Sequence, residues 1–280
     1  MPELPEVETV KRGLAPVLEG RRIVQVVVLR PDLRFPFPDE FGQRLTGSVV
    51  VCVERRAKYL LISFDNGATM ISHLGMSGRF RIYEKEQPVL QKHDHVIFRT
   101  DQGVEVRYND PRRFGFMDIA NAGALINHPM MKSIGPEPLS DDFDAKALAR
   151  TLKDRHTPIK SALLDQTVVA GLGNIYVSEV LFRAGISPKR KASSIARVRI
   201  NKLYKAIVDV LNQAISAGGS TISDHKQPDG ELGYFQHSFS VYGREGQACS
   251  YCNCDISKTG GVRRIKQSGR STFYCAKQQK

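Results

Sequence analysis

Residues 158–181 read PIKSALLDQTVVAGLGNIYVSEVL. Pro158 suits the first turn of a helix, where its missing N–H is no loss, and the apolar run behind it is broken at Gly171 and Gly173. Asn174 then opens a second helix whose apolar positions continue through Val180 and Leu181. Two helices joined in this way make a helix-two-turns-helix. The turn suits an anion: two glycines admit a phosphate to the backbone, Asn174 can cap and donate, and the helix dipole favours negative charge.

The half of the chain that carries this unit is basic. Residues 1–144 hold 19 Lys/Arg against 20 Asp/Glu, and residues 145–280 hold 22 against 9, so the net charge of +12 resides in the second half. A folded segment of that charge suits a polyanion, because each phosphate it neutralises releases condensed counterions. A basic surface that serves only solubility is the alternative left open by charge alone. With 41% hydrophobic and 25% charged residues over 280 positions, the chain reads as globular with room for two cores, which excludes a disordered or fibrous protein. No apolar run approaches the roughly 20 residues needed to span a bilayer. Acids stand near the start where a signal peptide would be basic and then apolar, so a cytoplasmic protein without a membrane partner is expected.

Upstream of the basic half the periodicity changes. Val7, Val10, Leu14 and Val17 have helical spacing behind prolines and Glu3, Glu6 and Glu8, so a helix is predicted from Pro5 onward with acids at its positive end. Short β-rich runs separated by turns follow from Arg21 to about Ile119, which predicts an antiparallel sandwich or barrel. Asn121–Asp144, rich in Gly and Pro, reads as a linker. Beyond it, Ile200, Leu203, Tyr204, Ile207, Val208, Leu211 and Ile215 fall on one helix face. The last 35 or so residues are too few for a core of their own and call for a metal staple. Four of the five cysteines, Cys249, Cys252, Cys254 and Cys275, lie there, while Cys52 reads as a small core residue. The expected division is an N-terminal domain over 1–120, a linker over 121–144, a helical domain over 145–242 and a finger-like module over 243–280.

The first residues, MPELPEVE, carry two readings. They cap a helix, or, once Met1 is removed, they present Pro2 as a free secondary amine. An α-amino group has a pKa near 7.7–8.0 against about 10.4 for lysine, so more of it is neutral and nucleophilic at physiological pH. Attack on a sugar C1′ would give an iminium, the electron sink for β-elimination, with Glu3 placed to move protons. Lys58 stands at the start of a strand, within reach of a phosphate or ready to act as a proton donor, or else on a solvated edge. The turn His73–Gly78 presents Met76, and Asn109–Gly115 presents Arg112 and Arg113 beside Phe114. Apolar wedges beside arginines are what a protein needs to unstack DNA and fill the hole left by a flipped base, although such side chains more often belong to a core.

Ten segments carry a family resemblance: MPELPEVETV (1–10), RRAKYLL (55–61), SHLGMSG (72–78), KHDH (92–95), RYNDPRRFG (107–115), GPEPLSDDF (135–143), GLGNIYVSE (171–179), GGST (218–221), GYFQHSFSVYGREG (233–246) and GRSTFYC (269–275). In this order they resemble bacterial formamidopyrimidine-DNA glycosylase over nearly the whole chain. The resemblance implies an α+β multidomain fold: an N-terminal antiparallel β-sandwich, a helix-two-turns-helix domain and a C-terminal β-hairpin zinc finger. It further implies a monomer that excises 8-oxoguanine and formamidopyrimidines from double-stranded DNA, then cleaves the abasic site by β- and δ-elimination. No nucleotide or redox cofactor is implied. By motif, Pro2 resembles the Schiff-base nucleophile, Glu3 the proton donor, Lys58 the β-elimination donor and Arg270 the δ-elimination donor. Met76, Arg112 and Phe114 resemble the void-filling wedge, and His93, Arg112, Arg155 and Asn174 the DNA-backbone contacts. Gly218, Gly219, Ser220 and Thr221 begin the segment that closes over the flipped base.

The finger departs from the family pattern of Cys-x2-Cys, 16 residues, Cys-x2-Cys. Here Cys249-x2-Cys252 is present, but 22 residues separate Cys252 from Cys275, Cys254 is extra, and Gln278 occupies the position of the fourth cysteine. An amide is a poor zinc ligand beside thiolates. Either Cys249, Cys252, Cys254 and Cys275 hold one zinc per chain in a rearranged site, or the hairpin packs without metal. Two other functions remain: an endonuclease-VIII-like enzyme for oxidised pyrimidines, against which Leu4 and the intact GLGNIYVSE stand, and a non-catalytic damage binder, which would not require Pro2, Glu3 and Lys58.

Overall fold

The structure, a computed structural model, describes residues 1–85, 87–220, 228, 233–252 and 255–280. It divides into two units, Met1–Lys132 with Ala217–Tyr234, and Ser133–Ser216 with Phe235–Lys280.

In the first unit, α1 (Leu4–Leu18) starts with Pro5 in its first turn, and Glu3 and Glu6 form a reciprocal capping box in which the Glu6 Oε2 accepts the Glu3 N–H at 2.8 Å. Capping of this kind contributes about 1 kcal/mol. Strands β1 (Ile23–Val28), β2 (Val50–Arg56), β3 (Tyr59–Phe64), β4 (Thr69–His73), β5 (Arg79–Tyr83), β6 (Asp94–Thr100), β7 (Glu105–Asn109) and β8 (Phe116–Ala120) follow, with the short helix α2 (Phe41–Leu45) after β1. They make two four-stranded antiparallel sheets, ordered β1-β6-β7-β5 and β2-β3-β4-β8. The predicted sandwich is therefore present. Its core joins Val7, Val10, Leu14 and Leu18 of α1 to inward residues of both sheets, among them Leu60, Ile62, Met70, Phe80, Val96, Val106 and Tyr108. Burying each aliphatic side chain stabilises the fold by roughly 1.5–3 kcal/mol. Cys52, expected in the core, is only half-buried on β2.

Two pairings decide where the functional loops emerge. His73 at the end of β4 pairs with Phe116 at the start of β8, so the His73–Gly78 turn and the Asn109–Gly115 turn leave neighbouring strand ends. Asn109 at the end of β7 pairs with both Arg79 of β5 and Asp94 of β6, which brings the stretch before β6 to the same corner.

In the second unit, α3 (Ala145–Leu152) is capped by Asp144, whose Oδ1 accepts the Ala147 N–H at 2.6 Å. The expected pair of helices is α4 (Ile159–Leu164) and α5 (Asn174–Arg183). Gln166 holds their connection: its Nε2 donates to the Leu164 and Leu172 carbonyls and its Oε1 accepts the Gly171 N–H. On α6 (Arg197–Ser216), Ile200, Leu203, Ile207 and Leu211 are buried as predicted, but Ala206, Val210 and Ala214 complete the stripe while Tyr204, Val208 and Ile215 are half-buried. The small alanines let the neighbouring surface approach more closely on that side.

After the one-turn helix α7 (Ile256–Thr259), β9 (Arg263–Gln267) and β10 (Arg270–Tyr274) form the C-terminal hairpin. Ser268 and Gly269, with φ of 48° and 76°, supply the two left-handed residues of a tight turn whose twist matches the strands.

Candidate active site and nucleic-acid interface

Pro2 and Glu3 sit at the positive end of α1; Pro2 is buried, Glu3 is 2% exposed, and Met1 stands 41% exposed beyond them. Glu6 is equally enclosed and does more than cap. Its Oε1 accepts both the N–H and the Oγ–H of Ser220, at 2.8 and 2.9 Å, across 214 residues of sequence. The left-handed Gly218 and Gly219 thus deliver Ser220 onto the first turn of α1. Thr221 lies outside the described residues.

Lys58 follows Ala57, which has a φ of 54°, in the turn joining β2 to β3. Arg55 braces that turn by donating to the Ala57 carbonyl, and its Nε donates to Glu8 of α1 at 3.0 Å. Burial raises the Glu8 pKa, but hydrogen bonding from Arg55, the Lys11 and Arg55 charges and a bond from Arg12 outweigh it and hold the carboxyl below its ordinary value. The pair is partly enclosed, so it fixes the Lys58 turn against the same helix that carries Pro2 and Glu3. Lys58 itself is 6% exposed, which excludes the solvated-edge reading.

Met76 and Phe114 are 39% and 44% exposed, and the Arg112 guanidinium lies 4.9 Å from the centre of the Phe114 ring. Their exposure separates these two side chains from the core, and large apolar groups beside an arginine have the chemistry that unstacking a duplex needs. The two loops interlock through glycine. A Cβ on Gly75, whose φ is +61°, would stand 2.2 Å from the Phe114 carbonyl carbon, and one on Gly115 would stand 1.8 Å from the Tyr108 hydroxyl. His73 Nδ1 accepts the Gly75 N–H at 3.0 Å, and its ring stacks on Phe116. His93 is half-buried just before β6, its ring 6.3 Å from that of His95.

In the second unit, Asn174 is the first residue of α5, and its Oδ1 is buried without a hydrogen-bond partner among the described residues. A helix start of this kind favours an anion through its free backbone N–H groups. Arg155 is half-exposed and pairs with Asp165 Oδ2 at 2.9 Å and with Thr167 Oγ1 at 3.1 Å. Arg270 is exposed at the first position of β10, directly after the tight turn. A buried ammonium holds the hairpin strand: Lys160 of α4, fully enclosed, donates to the Ser271 carbonyl at 2.8 Å and to Thr272 Oγ1 at 2.7 Å.

Cys249, Cys252 and Cys275 converge, with their sulfurs all within 4.8 Å of one another. Ligands of a tetrahedral zinc thiolate, with Zn–S near 2.3 Å, stand roughly 3.8 Å apart; the observed separations of 3.0 Å for Cys249 to Cys252 and 3.5 Å for Cys252 to Cys275 are of that order. Burial pushes the Cys275 thiol above its ordinary value, while the N–H groups of Gln278 and Lys277 bond to its sulfur and oppose the shift. Amides folded around a sulfur suit a metal-bound thiolate. The three sulfurs are grouped as metal ligands would be, but Cys252 is disulfide-bonded while Cys249 and Cys275 are free, so the set fits a metal only once Cys252 is reduced to a thiolate. Cys254 lies outside the described residues.

Two positioning groups are not evident in the sequence. Glu6 reads there only as an acid near a helix dipole, and Lys160 lies among ordinary helix residues. A weak signal existed for Glu6, since Glu3-x-x-Glu6 has capping-box spacing.

Residues 1–117 match the model of the formamidopyrimidine-DNA glycosylase N-terminal domain, and residues 134–226 that of the formamidopyrimidine-DNA glycosylase H2TH domain. A formamidopyrimidine-DNA glycosylase of Ruegeria pomeroyi is 54% identical over the full length of both chains. Among solved structures, a Lactococcus lactis FPG mutant in complex with Fapy-dG-containing DNA superposes with a TM-score of 0.89 at 35% identity over all of both chains. A MutM protein in complex with DNA containing carbocyclic 8-oxo-G does so with a TM-score of 0.88, again at 35% identity and full coverage.

Proposed function

The chain belongs to the formamidopyrimidine-DNA glycosylase family, and from that premise we propose how its own residues carry out the reaction. The activity is that of a DNA glycosylase and abasic-site lyase of base excision repair, acting on duplex DNA that contains oxidised purines. The observation that carries the residue-level reading is the convergence on α1: Pro2 and Glu3 at its start, Ser220 locked onto its first turn by Glu6, and the Lys58 turn tied to it through Arg55 and Glu8.

After removal of Met1, the Pro2 nitrogen attacks C1′ of the lesion nucleoside. The glycosidic electrons leave with the base, which takes a proton, and the sugar ring opens with Glu3 moving the proton to its ring oxygen. A secondary amine so bonded becomes an iminium without losing a second proton. Its positive nitrogen accepts the electrons released when a C2′ proton is abstracted and the 3′ phosphate departs, with Lys58 as the general acid. The conjugated product then loses the 5′ phosphate, with Arg270 as the donor. At pH 7.5 about a third of an ordinary α-amine is neutral, against about 0.1% of an ordinary lysine, which is the advantage of a terminal nucleophile.

Met76, Arg112 and Phe114 enter the stack where the base leaves, His93, Arg155 and Asn174 meet the backbone, and Gly218–Ser220 begin the cover over the flipped base. With Cys252 reduced, Cys249, Cys252 and Cys275 would hold one zinc per chain, which when bound supplies structural closure for the segment leading to Arg270. The protein acts as a monomer in the bacterial cytoplasm, where its DNA lies; no helix among the described residues is long and apolar enough to cross a membrane. The oxidised-pyrimidine and non-catalytic readings have less support, because the relatives and bound lesions above are those of purine-directed glycosylases.

Borohydride reduction during reaction with an 8-oxoguanine:cytosine duplex tests the mechanism. A covalent DNA adduct on the N-terminal peptide is expected. No adduct from protein shown by sequencing to begin at Pro2 would sink it.

A further inference from the structure

Asp110 has no exposed surface and is bonded on every side. Its Oδ1 accepts the Ser77 hydroxyl at 2.5 Å; its Oδ2 accepts the Gly115 N–H at 2.8 Å and the Tyr108 hydroxyl at 3.5 Å. Its main chain is engaged as well. The Asp110 N–H donates to the His93 carbonyl at 3.0 Å, and its carbonyl accepts from His95 Nε2 at 2.9 Å and from the Arg113 N–H at 3.3 Å. The Ser77 oxygen in turn accepts the Arg112 N–H at 3.1 Å.

One carboxylate therefore touches both loops that present large side chains to solvent. Ser77 follows Met76, Gly115 follows Phe114, and Arg112 is reached through Ser77. The backbone of the same residue is bonded to His93, on a third segment. A buried carboxylate is costly unless its lone pairs are occupied, and its bonds to N–H and O–H donors are about twice as strong as neutral ones. An arrangement that meets this requirement at a loop junction holds the loops in one geometry.

We propose that Asp110 is a positioning residue that locks Met76, Arg112 and Phe114 into a single preformed wedge and sets its register against His93. This rests on the wedge reading given above. Free loops would have to be ordered during insertion, at roughly 1–2 kcal/mol per residue fixed; a wedge that is already ordered applies its binding energy to unstacking the lesion. Base extrusion is where this matters. A preformed abasic site has no base to extrude and makes less demand on the wedge.

The experiment compares wild type, Asp110→Ala, Asp110→Asn, Ser77→Ala and the wedge control Phe114→Ala in full-length protein. Single-turnover excision from an 8-oxoguanine duplex is measured beside cleavage of a preformed abasic site, with 2-aminopurine next to the lesion reporting insertion. Asp110→Ala is expected to slow excision by about tenfold or more, as misplacements near 1 Å do, to delay the fluorescence rise, and to spare abasic-site cleavage. Phe114→Ala should share the slowed excision and the delayed rise. Asp110→Asn, which can still accept from Gly115 and donate to Ser77, should recover part of the rate, and Ser77→Ala should fall between. Normal excision by Asp110→Ala while Phe114→Ala fails would overturn the proposal and leave the wedge intact. Normal excision by Phe114→Ala would instead remove the wedge reading itself. Equal loss of both activities in Asp110→Ala and Ser77→Ala, in proportion to the folded fraction, would reduce Asp110 to a fold-stabilising group.

Discussion

His73 shows how a single side chain can be committed to one charge state. Its Nδ1 accepts the Gly75 N–H, so the ring has no room for a proton there. Burial, with Lys58 and Arg34 nearby, lowers its pKa from 6.5 to about 4. A histidine held neutral in the fold contributes its full stability above pH 6.5; as pH falls from 6.5 toward 4 the unfolded chain takes up a proton that the folded one refuses, and stability is lost, by up to about 3 kcal/mol. Thermal unfolding followed from pH 7 to 4 should show this decline, flattened in His73→Asn, whose amide oxygen can accept from Gly75 without titrating. An unchanged slope in that variant would show that another group carries the pH dependence.

The residues proposed for chemistry were more legible than those that hold them. Pro2, Glu3 and Lys58 were singled out by the family resemblance of MPELPEVETV and RRAKYLL, since by itself the first of these reads equally as a helix cap. Asp110 was not: in sequence it is an acid in a polar turn, and its burial exists only once β4 pairs with β8 and β7 with β5. Glu6 is hidden for the same reason, its partner Ser220 being 214 residues away.

At the scale of elements, the sheets were readable because each strand is a short β-branched or aromatic run closed by a turn, and local propensity agreed with the final pairing. The C-terminal hairpin is a different case. It has little apolar core of its own, with Val241, Val262, Cys249 and Cys275 packing around Phe182 of α5. Its other attachments are polar: Lys160 donates to β10, and the Glu179 carboxylate accepts the N–H groups of Ser240, Val241 and Tyr242 at 2.8–3.0 Å. Sequence spacing could not assign the thiol cluster, because the insertion between Cys252 and Cys275 erases the usual register, and only the folded chain shows three sulfurs together. Metal bound by such a segment contributes directly to its folding. Purified protein should contain close to one zinc per chain; stripping it with a strong chelator should expose thiols to reagent, raise hydrogen exchange in β9 and β10, and weaken DNA binding while leaving the first unit's exchange unchanged. Protein that is fully active yet nearly zinc-free as isolated would show that the hairpin stands on its polar attachments alone.

For the molecule as a whole, the decisive quantity is where charge lies. The first 144 residues are nearly neutral while the remainder carries essentially all of the net +12, so affinity for undamaged duplex is expected to come mainly from phosphate neutralisation by the basic half, and recognition of the lesion from the geometry around α1. These contributions separate with salt. Each phosphate contact adds about 0.9 to the slope of log K against log salt, so six contacts would weaken binding by about a thousandfold between 50 and 200 mM. Arg270→Ala, removing one exposed cation from the second half, should lower that slope by about one. The single-turnover excision rate at saturating enzyme should respond far less, since by then the phosphates are already engaged and the remaining barrier is base extrusion and the chemical step. Nitrocellulose or anisotropy titrations over that salt range, beside saturating excision measurements, decide the matter: an excision rate that falls as steeply as affinity would mean that the cations of the second half act in the chemical step and not only in holding the duplex.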